Sequence, residues 1–142
     1  MEGACVVTVL MPDGKEITFN ELFKEIGIPK MTAKRLIDTD SATRKTYPMA
    51  RGLLDYFPDA LAEVSNVSYH GNIKHNPGEQ MHHARGKSTD HADCILRHLV
   101  GRGGYDGEIR ESAALAWRAL ALLQEEIEQE KGLPLPRGAK AE

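Results

Sequence analysis

Apolar positions change period several times along this chain, and each change predicts an element. Residues 5–10 (C-V-V-T-V-L) are short and β-branched, Pro12-Asp13-Gly14 signals a turn, and residues 16–19 make a second short run. That pattern predicts a β-hairpin. Two strands alone are marginally stable, so the hairpin reads as an appendage or an oligomer contact. Asn20 can cap a brief helix over 21–26, ended by Gly27 and Pro29. Residues 30–48 are polar, punctuated by Lys34, Arg35, Arg44 and Lys45, and read as a solvated connector with room for one helical turn.

The helical period begins after Pro58, a good first helical residue flanked by Asp55 and Asp59. A helix over 59–69 turns Ala60, Leu61, Val64, Val67 and Ser68 inward and gathers Asp59, Glu63, Asn66 and His70 on one polar face. Residues 71–87 predict a long loop in which Lys74, Arg85 and Lys87 stand among His75, His82 and His83. Loops of that length in compact domains tend to be functional or disordered. The stretch 88–100 predicts a second helix, capped by Ser88 or Thr89. Its stripe of Ala92, Ile95, Leu96 and Leu99 is expected to face the core, with His91, Cys94 and His98 on the adjoining strip and Asp93 paired to Arg97. After a flexible connection over 101–107, residues 108–130 predict a long third helix. Its first half is apolar almost all round (Ala113, Leu115, Ala116, Trp117, Ala119, Leu120, Ala121, Leu122), which suits the middle of a bundle or a subunit interface. The acidic stretch 125–130 is expected to face solvent, and the Pro-containing tail over 132–142 to be disordered.

These elements give a mainly α protein, a thin helical bundle completed by oligomerisation, with a small N-terminal β-hairpin. The expected division is a hairpin, short helix and connector over 1–47, a helical core over 48–131 and a tail over 132–142. A chain of 142 residues with 41% hydrophobic and 27% charged positions can bury one core. A net charge of −3 offers no basic field for duplex nucleic acid or an anionic membrane. Two cysteines, Cys5 and Cys94, make no disulfide framework and suit a reducing compartment, and no run approaches a membrane span. A soluble, cytoplasmic protein is expected.

Four polar groups carry candidate chemistry. Asp59 and Glu63 stand one turn apart, as hard divalent cations prefer. His91 and His98 share the second helix with Asp90 and Asp93. Asp106, Glu108 and Glu111 crowd the entry of the last helix, where like charges need a cation or a basic group. Lys74, Arg85 and Lys87 can screen an anion. Each has a plainer explanation alone: first-turn helix acids, edge-of-core histidines, a small buried cysteine, a solvated face. No CxxC pair, H-E-x-x-H, phosphate-binding G-x-x-x-x-G-K-[ST] or contiguous His-Asp dipeptide is present. Together, acids on three helices, two histidines and a cationic loop match a bundle-core metal site serving a phosphorylated substrate.

The segments M-A-R-G-L-L-D-Y-F-P-D-A-L (49–61), H-N-P-G-E (75–79), G-K-S-T-D-H-A-D-C-I-L-R-H-L (86–99) and A-W-R-A-L-A-L-L (116–123) resemble the phage-type dATP/dGTP diphosphohydrolase family, related to the MazG-like all-α NTP pyrophosphatases. The resemblance covers about residues 47–130. It implies a homo-oligomer of helical subunits in the (host) cytoplasm, a Mg²⁺ or Mn²⁺ cluster, and cleavage of a purine (d)NTP to the monophosphate and pyrophosphate. Under it, Asp59, Glu63, Asp106 and Glu111 are the expected metal ligands, and Glu63, His98 and His91 the catalytic candidates. Lys74, His75, His82, Arg85, Lys87 and Arg97 are expected at the substrate. The chain departs from the pattern at Glu111, where relatives often carry His, and at His83, where they usually carry Trp. Those departures admit a non-catalytic nucleotide-binding protein that uses the same pocket.

Overall fold

The computed structural model describes residues 8–18, 21 and 35–142 and divides the chain into two compact units, Met1–Ala33 and Lys34–Glu142. In the first, β1 (Thr8–Leu10) and β2 (Glu16–Thr18) pair antiparallel, with Val9 opposite Ile17. The turn is closed by the Gly14 amide on Met11 O at 2.9 Å and by the Lys15 amide on Asp13 Oδ1 at 3.0 Å. The hairpin was legible in the sequence. Thr18 and Glu21 then exchange bonds in a capping box: the Glu21 carboxylate accepts from the Thr18 amide at 2.7 Å, and Thr18 Oγ1 accepts from the Glu21 amide at 3.2 Å. This signals helix entry from Thr18; Asn20, expected as the cap, and the rest of the helix expected over 21–26 lie outside the described residues.

The second unit is mainly helical. A short helix α1 (Ser41–Lys45) is capped by Asp40, whose Oδ1 accepts from the Thr43 amide at 3.0 Å. A π-helical turn, Ala50–Leu54, leads to α2 (Pro58–His75), which starts on the proline that fixes its first φ. There follow the short strand β3 (His83–Ala84), α3 (His91–Val100), the hairpin β4 (Tyr105–Asp106) and β5 (Ile109–Arg110), and α4 (Glu111–Lys131). The long helix α4 is central: α3 packs most closely on it, and α2 lies along it as well. Trp117 pins α2 by donating from Nε1 to Ser68 Oγ at 2.8 Å.

Four expectations need correction. Helix α2 runs on to His75, so the loop is shorter than the sequence implied. It is also ordered: the buried Asn76 donates to Asn72 Oδ1 and to His82 O, at 3.1 and 3.2 Å. Residues 109–110 leave the last helix to form β5. The tail is tied down. Gly132 closes α4 in the left-handed conformation (φ 60°), Arg35 donates to Pro134 O and Leu135 O, and β6 (Ala139–Lys140) pairs parallel with β3.

The fourth correction concerns the face of α3. His91 and Cys94 are buried and Ile95 and His98 half-buried, whereas Ala92, Leu96, Leu99 and Val100 are exposed. Imidazoles and a thiol therefore face α4, and the aliphatic stripe expected inside lies open. The physical reason is the character of α4, whose Arg118 and Glu125 meet the two ring nitrogens of His91. A polar face seeks a polar face when both are withdrawn from water.

Deleting residues 134–142 should expose this dependence. The His83 and Gly86 amides, which donate to Gly138 O at 2.8 Å and Ala141 O at 3.0 Å, should lose protection from hydrogen exchange. Thermal stability should fall by about 1 kcal/mol per lost bond.

Candidate functional site

Two polar clusters flank α4. The first is at its N-terminal end. Chain reversal from α3 into α4 brings His98 Nδ1 to 2.5 Å from Glu111 Oε2, with both side chains mostly withdrawn from solvent. Space at the turn is tight: a methyl at Gly101 would stand 3.0 Å from the Glu111 side chain, which would have to shift by a few tenths of an ångström. The Glu111 amide is held by Gly104 O at 3.1 Å. One residue earlier, Arg110 reaches Glu63 on α2, Nε to Oε2 3.6 Å, and stacks over the Tyr105 ring at 4.9 Å. His70 Nε2 lies 3.5 Å from Glu108.

His98 and Glu111 thus pair at one chain reversal, and Glu63 is tied to the neighbouring residue Arg110 rather than to either of them. Asp59 and Asp106 are exposed. Among the described residues of a single chain, Asp59, Glu63, Asp106 and Glu111 supply no group of three ligand atoms within 4.8 Å of one another.

The second cluster was largely missed. It lies between β3, the start of α3 and the far half of α4. Arg85 donates to Glu128 Oε1 at 2.8 Å and to Glu125 Oε1 at 3.3 Å, and Gln124 Nε2 donates to Glu128 as well, at 2.8 Å. The fully buried His91 ring has Nε2 3.3 Å from Glu125 Oε1 and Nδ1 3.3 Å from Arg118 Nη1. Because a guanidinium only donates, Nδ1 carries the lone pair and Nε2 the proton. Arg118 also donates to Ser88 Oγ. His83 packs edge-on against Trp117, with ring centroids 4.9 Å apart, and against His91 at 6.4 Å. Burial, with Arg85 second, holds the His83 imidazole below its ordinary value of 6.5.

Stretch 125–130 was expected to face solvent, yet Glu128 is buried and Glu125 half-buried. Their spacing carried the signal: residues 114, 118, 121, 125 and 128 recur at four, three, four and three, one continuous face. Charge was taken for exposure.

The expected substrate-binding residues divide. Lys74 and His75 are exposed. Lys87 Nζ donates to His75 O at 2.6 Å and Asn76 Oδ1 at 3.2 Å, and Arg85 is engaged by the two glutamates. His82, its side chain buried, has Nδ1 2.9 Å from Gln80 O. Arg97 turns to the Cys94 sulfur at 3.0 Å, where a pair with Asp93 was expected. Of the three basic groups, Lys87 braces the loop, Arg85 ties it to α4, and Lys74 stands exposed on α2.

Replacing Arg85 by Met should leave Glu125 and Glu128 sharing a withdrawn site without a counter-charge. A loss of about 3 kcal/mol or more in denaturant unfolding is expected. The pH dependence follows from His83, which faces Arg85, Glu125, His91 and Arg118. Its folded value lies below its unfolded one, so the unfolded chain takes up the proton first as pH falls. Stability is therefore full above 6.5 and declines below it, down to the folded value; in His83→Gln that part of the decline should vanish from a pH series of unfolding curves. No family model, curated protein or solved structure matches this chain.

Proposed function

We propose that this chain is a subunit of a metal-dependent nucleoside triphosphate pyrophosphohydrolase acting on a purine deoxynucleotide, with its reacting centre at the His98–Glu111 reversal. The observation that carries the reading is the short His98–Glu111 contact at the reversal whose Arg110 holds Glu63. The family resemblance of 75–79, 86–99 and 116–123 supplies the substrate class.

Glu111 fixes the imidazole by accepting the Nδ1 proton, which leaves His98 Nε2 to take a proton from an attacking water. Water oxygen would add to the α-phosphorus while the bond to the β-phosphate oxygen breaks, giving monophosphate and pyrophosphate. Glu63 offers the hard oxygen donors that Mg²⁺ or Mn²⁺ takes. Its pair with the half-exposed Arg110 is loose, worth at most about 1 kcal/mol, and does not bar a cation. Such a cation, when bound, supplies charge neutralisation on phosphate oxygens. Further ligands would come from substrate, water or a second copy. Exposed Leu96, Leu99, Val100, Leu120 and Leu123 on the two packed helices support a homo-oligomer, since so much aliphatic surface is normally covered. Among the described residues no helix is long and apolar enough to cross a membrane.

A second reading, a nucleotide-binding protein without turnover, is favoured by the dispersal of the four expected carboxylates within one chain.

Product chromatography over the common ribo- and deoxynucleoside triphosphates with Mg²⁺ or Mn²⁺ separates the two. Hydrolysis predicts pyrophosphate from dGTP or dATP, with kcat reduced about a hundredfold in His98→Gln and in Glu63→Gln. Stoichiometric recovery of intact bound nucleotide would instead establish the binding protein.

A further inference from the structure

We propose that His83, His91 and Glu125 form a binding site for one borderline transition-metal cation, of the Zn²⁺ or Co²⁺ class, separate from the magnesium chemistry assigned to the other end of α4. Each residue brings one ligand atom, and the three atoms lie within 4.8 Å of one another. Bonds of about 2.1 Å to nitrogen and oxygen set tetrahedral ligands about 3.4 Å apart, so closing the site takes an ångström-scale adjustment. Two imidazoles and a carboxylate are borderline donors, suited to zinc-like ions rather than magnesium.

The three come from separate pieces of backbone. His83 is on β3, whose amide is anchored on Gly138 O at 2.8 Å; His91 opens α3, and Glu125 stands midway along α4. A cation there would rivet the basic loop to both helices.

The neighbouring guanidinium groups do not depend on the three ligands. When Glu125 turns to the cation, Arg85 keeps Glu128 at 2.8 Å; when His91 does so, Arg118 keeps Ser88. Coordination through His91 Nε2 moves the proton of that nitrogen to Nδ1 with none lost from the ring; Nδ1 then no longer accepts from Arg118, whose Nη1 turns to Ser88 Oγ alone. Arg85, Arg118, Glu125 and Glu128 sum to zero formal charge, so the ion meets no net repulsion. The pocket is also short of one acceptor, since Arg85 Nε is buried without a hydrogen-bond partner. An open fourth position carrying water is the ordinary completion of a three-ligand zinc-type site.

The test is Co²⁺ and Zn²⁺ titration of the full chain after chelator treatment, by calorimetry and by the visible spectrum of Co²⁺. One equivalent per chain with a low-symmetry Co²⁺ band is expected. Affinity should fall at least tenfold in His83→Ala and in Glu125→Gln, and stay unchanged in the exposed loop control His75→Ala. Circular dichroism checks each variant. Should Glu125→Gln unfold, His83→Ala decides, because that ring is only half-buried. Absence of binding, or unreduced affinity in folded His83→Ala, overturns the site; either result leaves the nucleotide reading standing.

Discussion

Withdrawing two carboxylates from water on one helix imposes a condition that much of this structure meets. Glu125 and Glu128 lie on the inner face of α4, and an unpaired charge there would cost several kcal/mol. Arg85 answers both, at 3.3 and 2.8 Å, and answering both fixes where it must sit. It belongs to a short connection between β3 and α3, so its position fixes that connection in turn. The tail strand β6 then pairs with β3, and Lys140 reaches Glu79 at 3.7 Å. A counter-ion requirement on one helix thereby orders a loop and a terminus that apolar burial alone would leave loose.

The same requirement explains an unusual distribution of apolar groups. Buried hydrophobic residues of the second unit are small: Ala84, Cys94, Ala113, Ala114 and Ala121. Small residues let α3 and α4 approach closely enough for side chains such as His91 and Arg118 to span the gap. The larger aliphatic groups consequently point away from that seam. An exposed Leu on a surface is ordinary, but α3 leaves Leu96, Leu99 and Val100 exposed and α4 leaves Leu120 and Leu123 exposed, while their buried positions hold small or polar residues.

Local sequence rules captured the elements well and their orientation poorly. The hairpin followed from Pro12-Asp13-Gly14 between β-branched runs, and the start of α2 from Pro58, because turn and cap chemistry is local. The end of α2 was misjudged at Gly71, a residue that destabilises a helix by only about 1 kcal/mol and is outweighed here by the bonds of Asn72 and Asn76. The facing of α3 was inverted because periodicity reports which residues share a face, not which face the polar partners that His91 finds on α4 draw inward. The same gap hid the second cluster. His91 was singled out as functional from its place in the helix, but its partners Glu125 and Arg118 are 34 and 27 positions away, and no short-range spacing connects them.

The two ends of α4 have different electrostatics. At the Glu111 end, a histidine and a glutamate pair near an exposed hairpin, with the neighbouring charges Glu63 and Arg110 about half open to solvent. Groups so placed can exchange partners when a polyanion arrives, since little desolvation opposes it. At the Glu125 end, the charges are sunk and mutually compensated, so an incoming polyanion would have to displace Glu128 from Arg85 and leave a buried carboxylate unpaired. A dication can enter there at lower cost, because it adds to the ligands without stripping either arginine of its last partner. The proposed phosphate chemistry therefore suits the first end and the proposed zinc-class cation the second, because only the first has charged groups free to exchange partners at little desolvation cost.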